Sequence, residues 1–222
     1  MRLELHWLPL VSALALLWMP RAWMRAGPRL VRRKKGQRLA HSWTHAPQDG
    51  TVLSFGHEFT KVRNYLDAGR ALVGMWLLLG SSLLPPAFTV GAPAVPGAAR
   101  QVLGAQAGVL LVGLLIQCVR FEGRGLALAA PVFYLAGILC GLQVPLAGLA
   151  AFAVAWALVP VVPFTPGFLT VMGLVFAVVG VFLGGLSPLI LFGASLCLAP
   201  VVLSLLSRRP LMVFSRRSTR SR

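Results

Sequence analysis

Residues able to do chemistry gather in two short stretches of this chain. FGHEFTKVRN (55–64) brings together His57, Glu58, Thr60, Lys61, Arg63 and Asn64 just ahead of a long apolar run. Lys61 and Arg63 can hold a phosphate there, and His57 or Glu58 can serve as a general base. The plainer reading of the same residues is an interfacial amphipathic helix with solvated charges. VRFEGRGLALAAP (119–131) sets Arg120, Glu122 and Arg124 inside an otherwise apolar region, with Gly123 and Gly125 on either side of Arg124. Glycines let backbone N–H groups approach an anion closely, and a helix beginning just after Gly125 would add a favourable dipole. Gly123, Arg124 and Gly125 therefore read as a phosphate-binding loop. The plainer alternative is a turn between two membrane helices.

Other candidates are weaker. His41 and His45 stand four apart, but a zinc site needs three or four ligands and no third is evident. Cys118, Cys140 and Cys197 lie in apolar segments without a CxxC or any metal spacing, where cysteine behaves as a small hydrophobe. No metal and no cofactor is expected. Gln106, Gln117, Tyr134, Thr170, Ser195 and Ser204 are the polar residues within the apolar segments, and each reads as a helix–helix hydrogen bond. Ion-driven transporters place ionisable groups at membrane depth, and the apolar segments hold none away from the ends of the first.

The elements that must position these residues are membrane helices. The chain is 57% hydrophobic and 12% charged, against about 25% charged in soluble proteins. A spanning helix needs roughly 20 apolar residues. The sequence predicts an all-α, polytopic helical bundle of about seven transmembrane helices. Residues 1–23 form the first and 24–70 a basic cytoplasmic juxtamembrane segment, helix-like from Glu58. Residues 71–207 carry six more helices, at about 71–90, 102–119, 125–143, 146–162, 168–185 and 189–207, and 208–222 form a basic tail.

The formal charge of +16 is concentrated at 21–38 and 208–222, beside apolar segments. The positive-inside rule explains that distribution without nucleic acid, and anionic membrane lipids are the partners it implies. It predicts an outside N-terminus and a cytoplasmic C-terminus in an inner membrane of bacterial type. PVFYLAGILCGLQVPL (131–146) and LVFAVVGVFLGGLSPL (174–189) match in part, pairing Gly137 and Gly141 with Gly180 and Gly184. Small residues four apart let helix backbones approach closely, so these glycines are expected at helix contacts.

The setting of the 119–131 stretch resembles the bacterial acyl-phosphate-dependent glycerol-3-phosphate acyltransferases. These are seven-helix inner-membrane enzymes carrying an F-K-G-G-K-G-V-A loop after a helix that ends in G-H-x-x-P. The comparable residues are Gly113-Leu-Leu-Ile-Gln-Cys-Val-Arg-Phe121-Glu-Gly123-Arg124-Gly125-Leu-Ala127. Arg124 stands for the loop's lysine, Leu114 for the histidine, and Arg208 and Arg209 for a terminal R-H-x-x-N-I pattern. FGHEFTKVRN takes the place of a G-S-G-N-x-G-x-T-N loop without its glycines. The resemblance implies acyl transfer from an acyl phosphate to glycerol 3-phosphate in phospholipid synthesis, without coenzyme A or a metal. A non-catalytic membrane scaffold or accessory subunit is the alternative from another class, and a facilitator for a small uncharged solute is a third. Oligomeric state and acyl chain length are open at this point.

Overall fold

The computed structural model describes residues 3–21, 23, 53, 58–59, 61–80, 83–90, 96–122, 125–142 and 144–212, with backbone alone at 96, 121, 122, 125 and 126. These residues are mostly helical and form seven helices. In order they are α1 (Trp7–Trp18), α2 (Val62–Leu79), α3 (Pro96–Cys118), α4 (Val132–Gly141), α5 (Pro145–Ala157), α6 (Thr165–Gly184) and α7 (Pro188–Ser207). Three of them, α3, α6 and α7, are long and apolar enough to cross a membrane. The chain is thus that of a membrane-embedded helical protein. With 12, 10 and 13 residues, α1, α4 and α5 are each about 15–20 Å long and fall short of the hydrocarbon thickness as helices alone.

Helix α4 is the centre. Nine of its ten residues are buried, and it is apolar on every side, as a helix surrounded by others must be. It packs on α2, α5 and α7. Its glycines permit the closest of these approaches. A Cβ at Gly137 would collide with the Ala68 carbonyl, and one at Gly141 would stand 2.6 Å from Met75 Cβ. The matching pair on α6 does the same work, with Gly180 against Ile190 of α7 and Gly184 against Val144. All four glycines of the repeat sit at close contacts. Leu139, on the α4 turn between Gly137 and Gly141, is fully buried and meets no lipid.

Two parts of the sequence reading are corrected here. The boundary at residue 70 cuts through a continuous helix: α2 runs from Val62 to Leu79, and residues 83–90 beyond it are turn and strand. Its buried face is Asn64, Asp67, Arg70, Ala71, Gly74, Met75 and Leu78, while Val62, Tyr65, Leu66, Val73 and Trp76 are exposed. Charges inside and apolar groups outside reverse the pattern of a water-facing helix, and of the 55–64 stretch the solvated reading fails at Glu58 and Asn64, both buried. The second correction is at 119–131. Instead of a turn leading directly into a helix, strand β3 (Val119–Glu122) and strand β4 (Gly125–Ala129) pair antiparallel, from Val119 with Leu128 to Glu122 with Gly125.

A two-residue strand follows α7 and completes this sheet, parallel to β4, with Leu128 beside Leu211 and Ala129 beside Met212. A second, two-stranded sheet lies elsewhere, pairing Leu3–Leu5 with Phe88–Val90. In chain order the strands are β1 (Leu3–Leu5), β2 (Phe88–Val90), β3, β4 and β5 (Leu211–Met212). The two sheets cap opposite ends of the bundle. β1 precedes α1 and β2 precedes α3, whereas β3 and β5 follow the C-termini of α3 and α7.

Candidate functional site

Helix α1 ends at Trp18 and the chain passes through Pro20 to Arg21. A helix C-terminus leaves carbonyls without intrahelical donors and carries partial negative charge. Where such an end is buried, as at Leu17, the protein must supply those donors. Three other helices do so. Arg70 Nη1 of α2 donates to Leu16 O at 3.1 Å and also to Met19 O. Gln117 Nε2 of α3 donates to Met19 O at 2.9 Å, and Tyr134 Oη of α4 to Leu17 O at 3.1 Å. Gln106 similarly donates across to Leu78 O at 3.3 Å. Of the six polar residues singled out in the sequence, these three bridge helices. Thr170 and Ser195 bond back one turn within their own helices, and Ser204 bonds the carbonyl of Arg209 just beyond its helix.

Asp67 holds Arg70 in place. Its Oδ1 accepts from Arg70 Nε at 3.0 Å and lies 2.9 Å from Nη2, and its Oδ2 meets Arg21 Nε at 2.6 Å. Arg21 also donates to Asn64 Oδ1. Asn64 Nδ2 in turn donates to the Glu58 backbone carbonyl and to Glu58 Oε2, both at 2.8 Å, and Lys61 Nζ meets Glu58 Oε1 at 2.5 Å. One connected network therefore runs from Lys61 through Glu58, Asn64, Arg21, Asp67 and Arg70 to the end of α1. Its central members are nearly inaccessible: Asn64 is 0%, Asp67 2% and Glu58 4% exposed.

Glu58 is fixed from the other side by its neighbour. The Phe59 ring packs at centroid distances of 4.9 Å from Trp156, 5.5 Å from Phe133 and 6.1 Å from Phe152, joining the segment before α2 to α4 and α5. Leu53 N–H donates to Pro163 O at 2.9 Å and gives that segment a second tie.

The electrostatics show who else is near. Burial pushes the Arg21 guanidinium down to about 10, and Asp67 opposes that shift by favouring its charge. Arg63 and Arg120 lower it further, and Glu58 raises it. The neighbourhood thus combines the cations Arg21, Lys61, Arg63, Arg70 and Arg120 with the carboxylates Glu58 and Asp67. Asp67 is shared between two guanidiniums, so among the described residues the cations here outnumber the carboxylates. A low-dielectric setting with surplus positive charge favours an anionic ligand.

Four of the residues singled out in the 55–64 stretch, Glu58, Lys61, Arg63 and Asn64, come together here. His57, Gly123 and Arg124 lie outside the described residues. Gly125 is the first residue of β4, paired with Glu122, and the next helix begins only at Val132, so no helix dipole points at it. Arg21, Asp67, Arg70, Gln117, Arg120 and Tyr134 belong to the same neighbourhood, and none had been assigned a role in a site. A signal for some of them existed: Asp67 and Arg70 stand three apart on a helix whose opposite face is apolar. Comparison with protein-family models, with characterised proteins and with solved structures finds no match for this chain.

Proposed function

We propose that this protein is a divergent membrane acyltransferase that transfers an acyl group from an acyl phosphate to glycerol 3-phosphate. The observation that carries the reading is the gathering of Arg21, Lys61, Arg63, Arg70 and Arg120 with Glu58 and Asp67 at one end of a membrane bundle. In this scheme Lys61 and Arg63 hold the phosphorylated substrate, with Gly123, Arg124 and Gly125 as further phosphate contacts. The hydroxyl oxygen attacks the acyl carbonyl carbon, the carbon–oxygen bond to phosphate breaks, and inorganic phosphate leaves. Glu58 or His57 takes the hydroxyl proton. Cations fixed beforehand stabilise the charge that develops on the phosphate, a contribution of about 2–4 kcal/mol for a well-placed donor.

The topology that fits this reading has seven crossings, the short helices being completed by ordered flanks. β4 before α4 supports that arrangement, since its backbone is paired on both edges and its end is buried, which makes non-helical chain tolerable at depth. Both basic runs leave from the same end of the bundle, one after α1 and one after β5. That end is then cytoplasmic by the positive-inside rule, the N-terminus is outside, and a bacterial-type inner membrane is the location.

One observation favours the non-catalytic scaffold instead: Arg70, Gln117 and Tyr134 all donate to the end of α1, a purely architectural use of polar groups. The two readings separate in one assay with purified protein, acyl phosphate of several chain lengths and labelled glycerol 3-phosphate. The enzyme forms lysophosphatidic acid, and Arg63→Ala or Arg124→Ala reduces the rate by about 10²–10³ with the fold intact. A well-folded wild type that forms no product at any chain length is the scaffold.

A further inference from the structure

We infer that Leu211 and Met212 are a strap that keeps the β3–β4 hairpin closed on the cationic end of the bundle, and so sets where Arg120 stands relative to Arg21. The chain turns sharply to reach this position. Arg208 takes a left-handed conformation at φ 52, and Arg209 is held to the last turn of α7 through its N–H to Ser204 O at 3.2 Å and its carbonyl to Ser204 Oγ at 2.6 Å. The next two residues then pair with β4, and Ala130 N–H donates to Met212 O at 2.8 Å.

The pairing is short, but it is buried. Leu211 is 2% exposed within the core cluster and packs beside α6 and α7, and Leu128, Ala129 and Ala130 opposite it are equally enclosed. Without the strap, β4 would present an unpaired edge at enclosed positions, where unmade backbone hydrogen bonds are costly. The hairpin follows α3 and the strap follows α7, so β5 ties two distant parts of the chain across this end. The basic tail from Arg216 onward continues directly from the strap. Anything that pulls on that tail therefore acts on the hairpin carrying Arg120. This inference does not depend on the acyltransferase reading.

Cys118 reports on it, because it is fully buried at the foot of β3, while the equally buried Cys197 lies within α7. The full-length protein in detergent is labelled with a small thiol reagent, and modification at each cysteine is followed by mass spectrometry. Two truncations are compared with it, one ending at Met212 and one at Pro210. The first should label like the wild type. The second should label at Cys118 about tenfold faster or more, as a local opening does, with Cys197 still protected. Unchanged protection of Cys118 in the shorter chain overturns the strap. If that chain exposes Cys197 as well, Leu211→Ala decides in full-length protein: faster labelling at Cys118 alone upholds the strap, and none overturns it.

Discussion

At one end of the bundle β1 and β2 pair three residues with three, His6 N–H donates to Ala87 O at 3.1 Å, and His6 Nε2 lies 3.3 Å from Thr89 Oγ1. A cleft of about 450 Å³ opens beside them between apolar side chains such as Trp7, Leu8, Leu77 and Leu84. At the other end a small sheet again ties loop to helix, but this end also holds Arg21, Glu58, Lys61, Asn64, Asp67 and Arg70. Helices α1, α2 and α3 run from one end to the other. What differs is which groups of those helices are left over. The first end meets helix N-termini for α1 and α3 and the apolar half of α2. The second meets the carbonyl end of α1 and the charged half of α2, and each satisfies the other. A buried helix end needs partners, and Arg70 of α2 supplies them where α1 finishes.

If that account is right, changes at the cationic end should cost far more than comparable changes opposite. The largest effect is expected for Asp67→Ala, which leaves Arg21 and Arg70 buried without their shared carboxylate. Removing one member of a buried ion pair costs about 3–5 kcal/mol, so thermal unfolding in detergent should show a large loss or no folded protein. Retention of wild-type stability would break the comparison. An intermediate effect is expected midway along the molecule. Gly137→Ala pushes a methyl group onto the Ala68 carbonyl, and overpacking of this kind costs about 1–3 kcal/mol. Gly104→Ala is the control, since nothing lies within 4 Å of a Cβ there, and its unfolding temperature should not fall. The smallest effect belongs to His6→Ala at the apolar end. It removes one partly buried contact to Thr89, worth about 0.5–1.5 kcal/mol. A His6 variant as damaging as Asp67→Ala would show the two ends to be equally dependent on polar contacts.

Long helices were legible in the sequence because hydropathy alone identifies them: α3, α6 and α7 fall within a few residues of their expected bounds. The glycine pairs were also legible, since four-residue spacing of small side chains is a local pattern. Helix α2 was misread for an equally physical reason. Arg63, Asp67 and Arg70 lower the apolar average, and the partner that makes Asp67 tolerable, Arg21, is 46 positions away (67 − 21). No window along the chain contains both. The hairpin at 119–129 was hidden by its setting. Val119 and Phe121 facing Leu128 and Leu126 look like the ends of two helices until their pairing is seen. β5 is two residues long and carries no pattern at all. Of the site, Glu58, Lys61 and Arg63 were visible as a charge cluster, whereas Arg21 and Arg120 join it only through the folding of α1 and α3.

The inward-facing charges of α2 bear on how the chain is made. A lone apolar helix carrying Asp67 and Arg70 would be penalised at the centre of a bilayer by about 2.5–3.5 kcal/mol for each charge. Synthesis runs from the N-terminus, so α1 and Arg21 precede α2 out of the ribosome. The carboxylate of Asp67 and the guanidinium of Arg70 then find their partners on a segment already made. The order of translation thus puts the cation in place before the carboxylate that needs it, and ties the folding of α2 to a segment made earlier.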